Sequence, residues 1–183
     1  MDAATETNAP ALARTLALNW HADQQYGNLP YWTHLEDVVN VLRTFGVTDD
    51  NSVAAAWLHD ALEDTACTPA NLRPGIPEVV IEAVQHCTDE PGANRKERKS
   101  ATYARWRMLK QTPRQNDPAF QLASQTKLAD RIANVSNCIK TGNRGLLKMY
   151  QREAADFEAA VRIGQLDFAI WAYLRSLLET PTP

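Results

Sequence analysis

Cysteine, glycine and long apolar runs are all scarce in this sequence of 183 residues. The three cysteines are odd in number, widely spaced and without a CxxC pair, which excludes a disulfide framework and a thiolate zinc site. We expect them to be small core residues, namely Cys67, Cys87 and Cys138. No run of about 18 apolar residues is present, so the sequence predicts no membrane-spanning helix. Seven glycines and 44% hydrophobic residues are proportions typical of a globular protein.

The chain length fits one folded domain, because single domains commonly contain about 100 to 200 residues. We predict a flexible N-terminus over residues 1–13, one domain over 14–179 and a short tail over 180–183. The N-terminus lacks the basic start and apolar stretch of a signal peptide, so we expect a cytoplasmic protein that binds no membrane. A net charge of −3 excludes a globally basic nucleic-acid binder, and we expect no DNA or RNA partner. The sequence leaves a homo-oligomer open.

Apolar residues recur at helical spacing through most of the chain, and no segment alternates convincingly between apolar and polar residues. The sequence therefore predicts an all-α fold, a single-domain helical bundle. The first predicted helix runs from near His34 to Gly46, and the second runs from a cap at Ser52 to before Pro69. A third begins at Pro77 and is buried, a fourth is basic and ends near Pro113, and a fifth runs from about Pro118 through Val135. Two further helices lie within residues 146–178 and join near Gly164.

The segment WLHDALEDT in the second predicted helix gathers one imidazole and three carboxylates. Residues three and four positions apart share a helix face, which places Glu63 beside both His59 and Asp60. By the same spacing, Asp64 lies beside Asp60. Repulsion between these carboxylates would raise their pKa values and cost stability unless cations neutralised them. A divalent metal bound by His59 and Asp60 meets that need, and mixed imidazole and carboxylate ligands suit manganese, iron or zinc better than calcium.

Two residues elsewhere in the sequence are candidates for the remaining metal ligands. His34 lies just off the apolar stripe of the preceding helix, and Asp130 lies among apolar residues in TKLADRIAN. Either residue alone is more commonly a helix cap or a hydrogen-bonded core residue. Together with the doublet His59 and Asp60, they complete a predicted set of four ligands.

The order of these four residues resembles the pattern of the HD-domain metal phosphohydrolases. The segments LPYWTH, AAAWLHDALEDT and TKLADRIANV are similar to those of a narrower group, the RelA/SpoT-type alarmone hydrolases. The resemblance covers roughly residues 20–138 and implies that the four residues hold a manganese ion. It also implies that Glu63 and Asp64 are catalytic, and that the substrate is guanosine tetra- or pentaphosphate, which loses its 3′-pyrophosphate. A carboxylate near a water acidified by metal is suited to this chemistry.

A basic stretch follows the loop CTDEPGAN, with Glu97 as its only acidic residue between Arg95 and Arg114. Such a cluster is commonly a solvated helix face. Its position resembles the region that contacts phosphate in alarmone hydrolases, which implies that Arg95, Lys96 and Lys99 bind substrate. Lys127 and Asn134 lie one turn on either side of Asp130 and could reach the ribose or a phosphate. For Tyr31 we favour a packing role.

One segment departs from the family pattern. The family carries a basic residue shortly before its proline-tyrosine motif to hold the guanine base, and this sequence has Gln24, Gln25 and Tyr26 there. The same site could therefore act on another phosphorylated nucleotide, such as an adenosine alarmone or a nucleoside monophosphate. A non-catalytic nucleotide sensor is a further alternative. In a purely structural alternative, the acidic residues are paired with arginines such as Arg131.

Overall fold

The computed structural model describes residues 8–163 and 168–180. Helices make up most of this part of the chain, joined by short loops and one small hairpin. In chain order the elements are α1 (Ala9–Trp20), β1 (Gln25–Tyr26), β2 (Leu29–Pro30), α2 (Trp32–Thr44), α3 (Asp50–Leu58), α4 (Ala61–Asp64), α5 (Pro69–Leu72), α6 (Glu78–Cys87), α7 (Arg95–Lys110), a 3₁₀ turn (Pro113–Asn116), α8 (Pro118–Thr141), α9 (Arg144–Val161) and α10 (Phe168–Leu178).

The all-α prediction is confirmed, and the exception is the antiparallel hairpin of β1 and β2. Its turn contains Gly27 at φ 64°, a backbone conformation that side chains with a Cβ rarely adopt. Strands of two residues are too short to show an alternating pattern in a sequence. The hairpin matters because it precedes α2 and places two tyrosines, Tyr26 at the end of β1 and Tyr31 directly after β2.

Helix α8 forms the centre of the fold and packs against α2, α3, α6, α9 and α10. Phe120, Leu128 and Ile132 on this helix are almost completely buried. Asp117 caps its N-terminus by accepting a hydrogen bond from the backbone N–H of Ala119, and it ends at a left-handed glycine. A helix surrounded on several sides is a rigid support for any polar side chain that it carries.

The structure has a helix, α1, before the first helix that the sequence predicts near His34. Asn8 caps it by accepting a hydrogen bond from the backbone N–H of Ala11, and Ala13 and Ala17 are fully buried. These small residues allow α1 to pack closely against α3. Residues 9–13, which lie in the segment predicted as a flexible N-terminus over 1–13, therefore belong to α1. Residues 1–7, residues 181–183 and the predicted junction near Gly164 lie outside the described residues.

The second predicted helix is interrupted at the sequence doublet. Helix α3 ends at Leu58 and α4 begins at Ala61, so His59 and Asp60 form the junction. The cap of α3 is Asp49, which accepts the N–H of Ser52, and not Ser52 itself. Both junction residues keep right-handed backbone angles, and the N–H of Asp64 still donates to the carbonyl of Asp60 at 2.9 Å. The spacing of the acidic residues by one helical turn is therefore preserved.

None of the helices in the described part of the chain is long and apolar enough to cross a membrane.

Candidate active site

Three segments of the fold bring imidazoles and carboxylates together. His34 comes from the first turn of α2, His59 and Asp60 from the junction of α3 and α4, and Asp130 from the middle of α8. The Nε2 atom of His34 lies 3.2 Å from Oδ1 of Asp130 and 3.7 Å from Oδ2 of Asp60. The Nε2 atom of His59 lies 3.0 Å from Oδ2 of Asp60 and 3.7 Å from Oδ1 of Asp130.

The hydrogen bonding of His59 shows why this cluster suits a cation. Its Nδ1 lies 2.8 Å from the carbonyl oxygen of Ala56, which only accepts, so Nδ1 carries the proton. In the neutral ring, Nε2 then presents a lone pair toward Asp60 and Asp130. This buried nitrogen has no hydrogen-bond partner within the described residues. A lone pair facing carboxylates is repulsive, and a metal ion between them removes that repulsion.

The carboxylates of the cluster attract positive charge, whether it is a metal ion or a proton on Nε2 of His59. Burial alone would lower the pKa of His59, but the carboxylates of Asp60 and Asp130 raise it well above its usual range. Burial would raise the pKa of both aspartates, yet the two histidines lower it. The site thus holds two ionised carboxylates in a buried place and attracts positive charge. His34, His59 and Asp130 each offer a ligand atom within 4.8 Å of the others, a group that could bind a metal.

Glu63 and Asp64 lie at the edge of this cluster. Oε2 of Glu63 accepts a hydrogen bond of 3.0 Å from the backbone N–H of Asp89, which follows α6. Burial raises the pKa of Glu63, and burial together with Asp60 raises the pKa of Asp64. Both side chains line a cavity of about 140 Å³, which is also lined by His34, Asp60 and Asp130. The arrangement therefore provides two carboxylates beside the candidate metal ligands.

Tyr31 has a hydrogen-bonding role besides the packing role that the sequence favours. Its ring packs against the core, while its hydroxyl donates to Oδ2 of Asp60 at 2.6 Å and lies 3.3 Å from Oδ2 of Asp64. The ring stacks on His21 at a centroid distance of 4.7 Å. Tyr31 thus joins a candidate metal ligand to a candidate catalytic acid, and the signal available in the sequence was its place three residues before His34.

Asn134 lies close to Asp130, one turn further along α8. Its amide nitrogen donates to Oδ1 of Asp130, and its amide oxygen accepts a hydrogen bond of 2.8 Å from Tyr26. The ring of Tyr26 stacks on His34 at 4.7 Å, and burial raises its pKa to about 12. Tyr26 and Asn134 therefore hold two of the candidate ligands in place from the open side of the cluster.

Two lysines supply positive charge on the opposite side. Lys99 pairs with Asp89 at 2.7 Å, while Lys127 reaches into the cavity from α8 and makes no ion pair within the described residues. Burial would lower the pKa of Lys127, but Cys87, Asp89 and other nearby groups raise it. Burial and Lys127 lower the pKa of Lys99. Lys127 is thus held as a cation with its charge available to a ligand.

The structure divides the three basic residues predicted at the start of α7. Arg95 and Lys99 line the cavity with the candidate metal ligands, whereas Lys96 is exposed and lines a neighbouring groove between α7 and α9. Arg131 also lines the cavity, but its ion pair is with Glu153 at 3.3 Å and not with the acidic residues of the cluster. The purely structural alternative, in which arginines such as Arg131 neutralise those acids, is therefore wrong.

The segment that departs from the family pattern is largely engaged in internal contacts. The amide of Gln24 accepts from Nδ1 of His21 at 2.6 Å and donates to the backbone carbonyl of Asp64 at 2.6 Å. Tyr26 is bonded to Asn134. Only the side chain of Gln25 is exposed without a hydrogen bond within the described residues. Gln24, directly before the hairpin, is therefore bonded to the last residue of α4.

Comparisons with known proteins identify the family and the fold of the chain. The family model described as HD domain matches residues 13–176. No curated protein gives a match. Among 17 matching chains of solved structures is a metazoan ortholog of SpoT that hydrolyses ppGpp and plays a role in starvation responses. It is 21% identical, with a TM-score of 0.73, over 92% of this chain and 93% of its own, which shows a shared fold. The chain belongs to the HD domain family.

Proposed function

We propose that this protein is a manganese-dependent hydrolase that removes the 3′-pyrophosphate from guanosine tetra- or pentaphosphate. The observation that carries the proposal is the convergence of two imidazole Nε2 atoms and two ionised carboxylates next to a second pair of acids and a buried free lysine. The SpoT ortholog with the same fold hydrolyses ppGpp, which supports the choice of substrate.

In this proposal His34, His59, Asp60 and Asp130 hold the metal. Their mixture of nitrogen and oxygen ligands suits a first-row ion such as manganese. When bound, the ion would lower the pKa of a coordinated water and neutralise phosphate charge. Tyr31 and Asn134 fix the aspartate orientations through hydrogen bonds, and Ala56 fixes the tautomer of His59.

Glu63 and Asp64 serve as the catalytic acids. The N–H of Asp89 holds Oε2 of Glu63, and Oε1 accepts no hydrogen bond within the described residues. A carboxylate with a raised pKa is a better proton acceptor than an ordinary one near neutral pH. Glu63 therefore takes the proton of the attacking water, and Asp64 orients that water. The bond between the ribose 3′-oxygen and phosphorus breaks as the water oxygen bonds to phosphorus, and the 3′-oxygen takes the proton that Glu63 accepted.

The pyrophosphoryl group that is transferred to water carries several negative charges, which Lys127, Lys99 and Arg95 neutralise from the wall of the cavity. Asn134 lies one turn from Asp130 and can contact the ribose. Lys96 lies outside the cavity, so its contact with substrate would be through the outer phosphates. A binding module has no evident use for two acids beside a metal, which disfavours the sensor alternative.

A second candidate is the same reaction on another phosphorylated nucleotide, such as an adenosine alarmone or a nucleoside monophosphate. The sequence of the segment before the proline-tyrosine motif favours considering it, because Gln24, Gln25 and Tyr26 stand where the family carries a basic residue, and Gln24 is engaged with His21 and Asp64. A panel of nucleotides separates the two candidates. Guanosine tetraphosphate should be the preferred substrate, and faster turnover of an adenosine nucleotide would assign the function to the second candidate.

Two variants test the assigned roles. Asp60→Ala removes a ligand and should abolish manganese binding, measured by metal analysis after gel filtration. Glu63→Gln keeps the ligands and should retain the metal, while turnover falls by about 10² to 10⁴, the usual contribution of a general base. Glu36→Gln, an acid on α2 outside the cavity, is the control. Full turnover by Glu63→Gln would show that Glu63 is not the base.

A further inference from the structure

Arg131 has an unusual environment for a buried arginine. Its side chain is 6% exposed, and its Nη2 lies 3.0 Å from the hydroxyl of Tyr103 and 3.3 Å from Oε2 of Glu153. The buried Nη1 has no hydrogen-bond partner among residues 8–163 and 168–180. The residue lines the cavity that holds the candidate metal ligands. An unsatisfied guanidinium nitrogen in a buried site costs free energy, which an anionic ligand would recover.

Arg95 reaches the same place from α7. Its Nε and Nη2 donate to the two carboxylate oxygens of Glu153, both at 3.1 Å. The guanidinium carbons of Arg95 and Arg131 lie 5.7 Å and 4.6 Å from the ring centre of Tyr150. Glu153 and Tyr150 are one turn apart on α9, so one face of this helix holds both guanidinium groups side by side.

The positive charges of Arg95 and Arg131 exceed the single negative charge of Glu153. Two arginines share one carboxylate, which leaves a net positive charge beside the cavity. Arg95 donates to the carboxylate of Glu153 through Nε and Nη2, so the hydrogens on Nη1 of Arg95 are not used in that pair. Glu153 itself lines the groove between α7 and α9, not the cavity. It can therefore influence a ligand in the cavity only through the arginines.

We infer that Arg95 and Arg131 form an arginine clamp for a phosphate group of the substrate, and that Glu153 positions the clamp. Guanidinium groups bind phosphoryl oxygens through a planar fork of donors, which a lysine cannot reproduce. Arg131 is a binding residue in this scheme, and Glu153 is a positioning residue. The inference rests on the proposed function for the identity of the substrate, but the phosphate-binding chemistry can be tested separately.

The test compares Arg131→Lys and Glu153→Ala with Asp156→Ala. Asp156 lies on the same helix and lines the same groove, but its nearest pairing is with Arg107 at 3.8 Å. Steady-state kinetics with guanosine tetraphosphate and manganese should give about a tenfold rise in KM for the first two variants. Their kcat should stay within about twofold of the wild type, and Asp156→Ala should leave both constants within that range.

A second readout does not depend on turnover. Calorimetric titration of the chelator-treated proteins with inorganic pyrophosphate should show binding to the wild type, weakened about fivefold or more in Arg131→Lys and Glu153→Ala. If the wild type hydrolyses no guanosine tetraphosphate but this difference is found, the proposed function fails and the clamp stands. If hydrolysis occurs and both KM and pyrophosphate affinity are unchanged in the variants, the clamp is wrong.

Two further outcomes would also overturn the inference. A lower KM in Glu153→Ala would mean that Glu153 competes with the substrate for the arginines and does not position them. A fall in kcat and melting temperature at constant KM would mean that Glu153 only supports the packing of α9. Should Arg131→Lys fail to fold, Arg95→Lys carries the same prediction, because the Arg95 side chain is 38% exposed and replaceable.

Discussion

Replacement of Tyr31 by phenylalanine tests whether the hydroxyl between Asp60 and Asp64 organises the metal site. The change removes the 2.6 Å hydrogen bond to Asp60 and the 3.3 Å contact with Asp64. The stacking of the ring on His21 is retained, because phenylalanine has the same aromatic face. The fold should therefore survive the substitution.

The size of the effect follows from the charge of the acceptor. A hydrogen bond to an ionised group contributes about 1.5 to 3 kcal/mol, and each 1.4 kcal/mol is about a factor of ten. Only the shorter bond, to Asp60, has the geometry of a strong interaction. We expect Tyr31→Phe to weaken manganese binding by about 10- to 100-fold, in line with the usual effect of removing the partner of a metal ligand.

The assay is competition for manganese between the protein and a fluorescent chelator. Tyr173→Phe is the matched control, because Tyr173 is exposed on α10 and packs against Phe45 away from the site. Its manganese affinity should equal that of the wild type. If Tyr31→Phe also binds manganese within about twofold of the wild type, the hydroxyl does not orient Asp60, and the reasoning from the 2.6 Å bond is wrong.

Two further predictions concern stability. Asp89→Asn breaks the buried pair with Lys99 and should lower the free energy of unfolding by about 1.5 to 3 kcal/mol at pH 7, measured by urea denaturation. Burial would raise the pKa of Asp89, but Lys127 and Lys99 lower it below its ordinary 3.8. The contribution of the ionised Asp89 to the free energy of unfolding is therefore full above pH 3.8 and is lost as the pH falls through the lowered pKa. The difference between wild type and variant should shrink at acidic pH, and a constant difference would contradict the assignment. Manganese at about 100 times its Kd should stabilise the fold by about 2.7 kcal/mol, and a chelator should reverse the rise in melting temperature.

The sequence predicted most of the helical framework because its apolar residues recur with a clear period. The long central helix from Pro118 and the basic helix that begins at Arg95 match the structure closely. Helix α1 was missed because its buried face consists of alanines, which give a weak hydrophobic pattern. The break at His59 and Asp60 was missed because both residues keep right-handed angles, which no sequence pattern distinguishes from a continuous helix.

The candidate site was predictable where it rests on short motifs and not where it rests on distant contacts. His34, His59, Asp60 and Asp130 stand in recognisable segments, and the structure brings them together. Glu153 lies 58 residues from Arg95 in the chain, and no motif links them. Its role depends on how α7, α8 and α9 pack, which is set by the whole core. The division of Arg95 from Lys96 likewise follows from the helix face that each residue occupies.

Removal of pyrophosphate from a guanosine alarmone by the metal cluster and the neighbouring acids can be measured directly. The most direct measurement is chromatographic analysis of guanosine tetraphosphate after incubation with the manganese-loaded protein, with Glu63→Gln in parallel. The account predicts stoichiometric guanosine diphosphate and pyrophosphate from the wild type, and unchanged nucleotide from the metal-containing variant. Intact guanosine tetraphosphate after incubation with wild-type protein that is shown to contain manganese would contradict it.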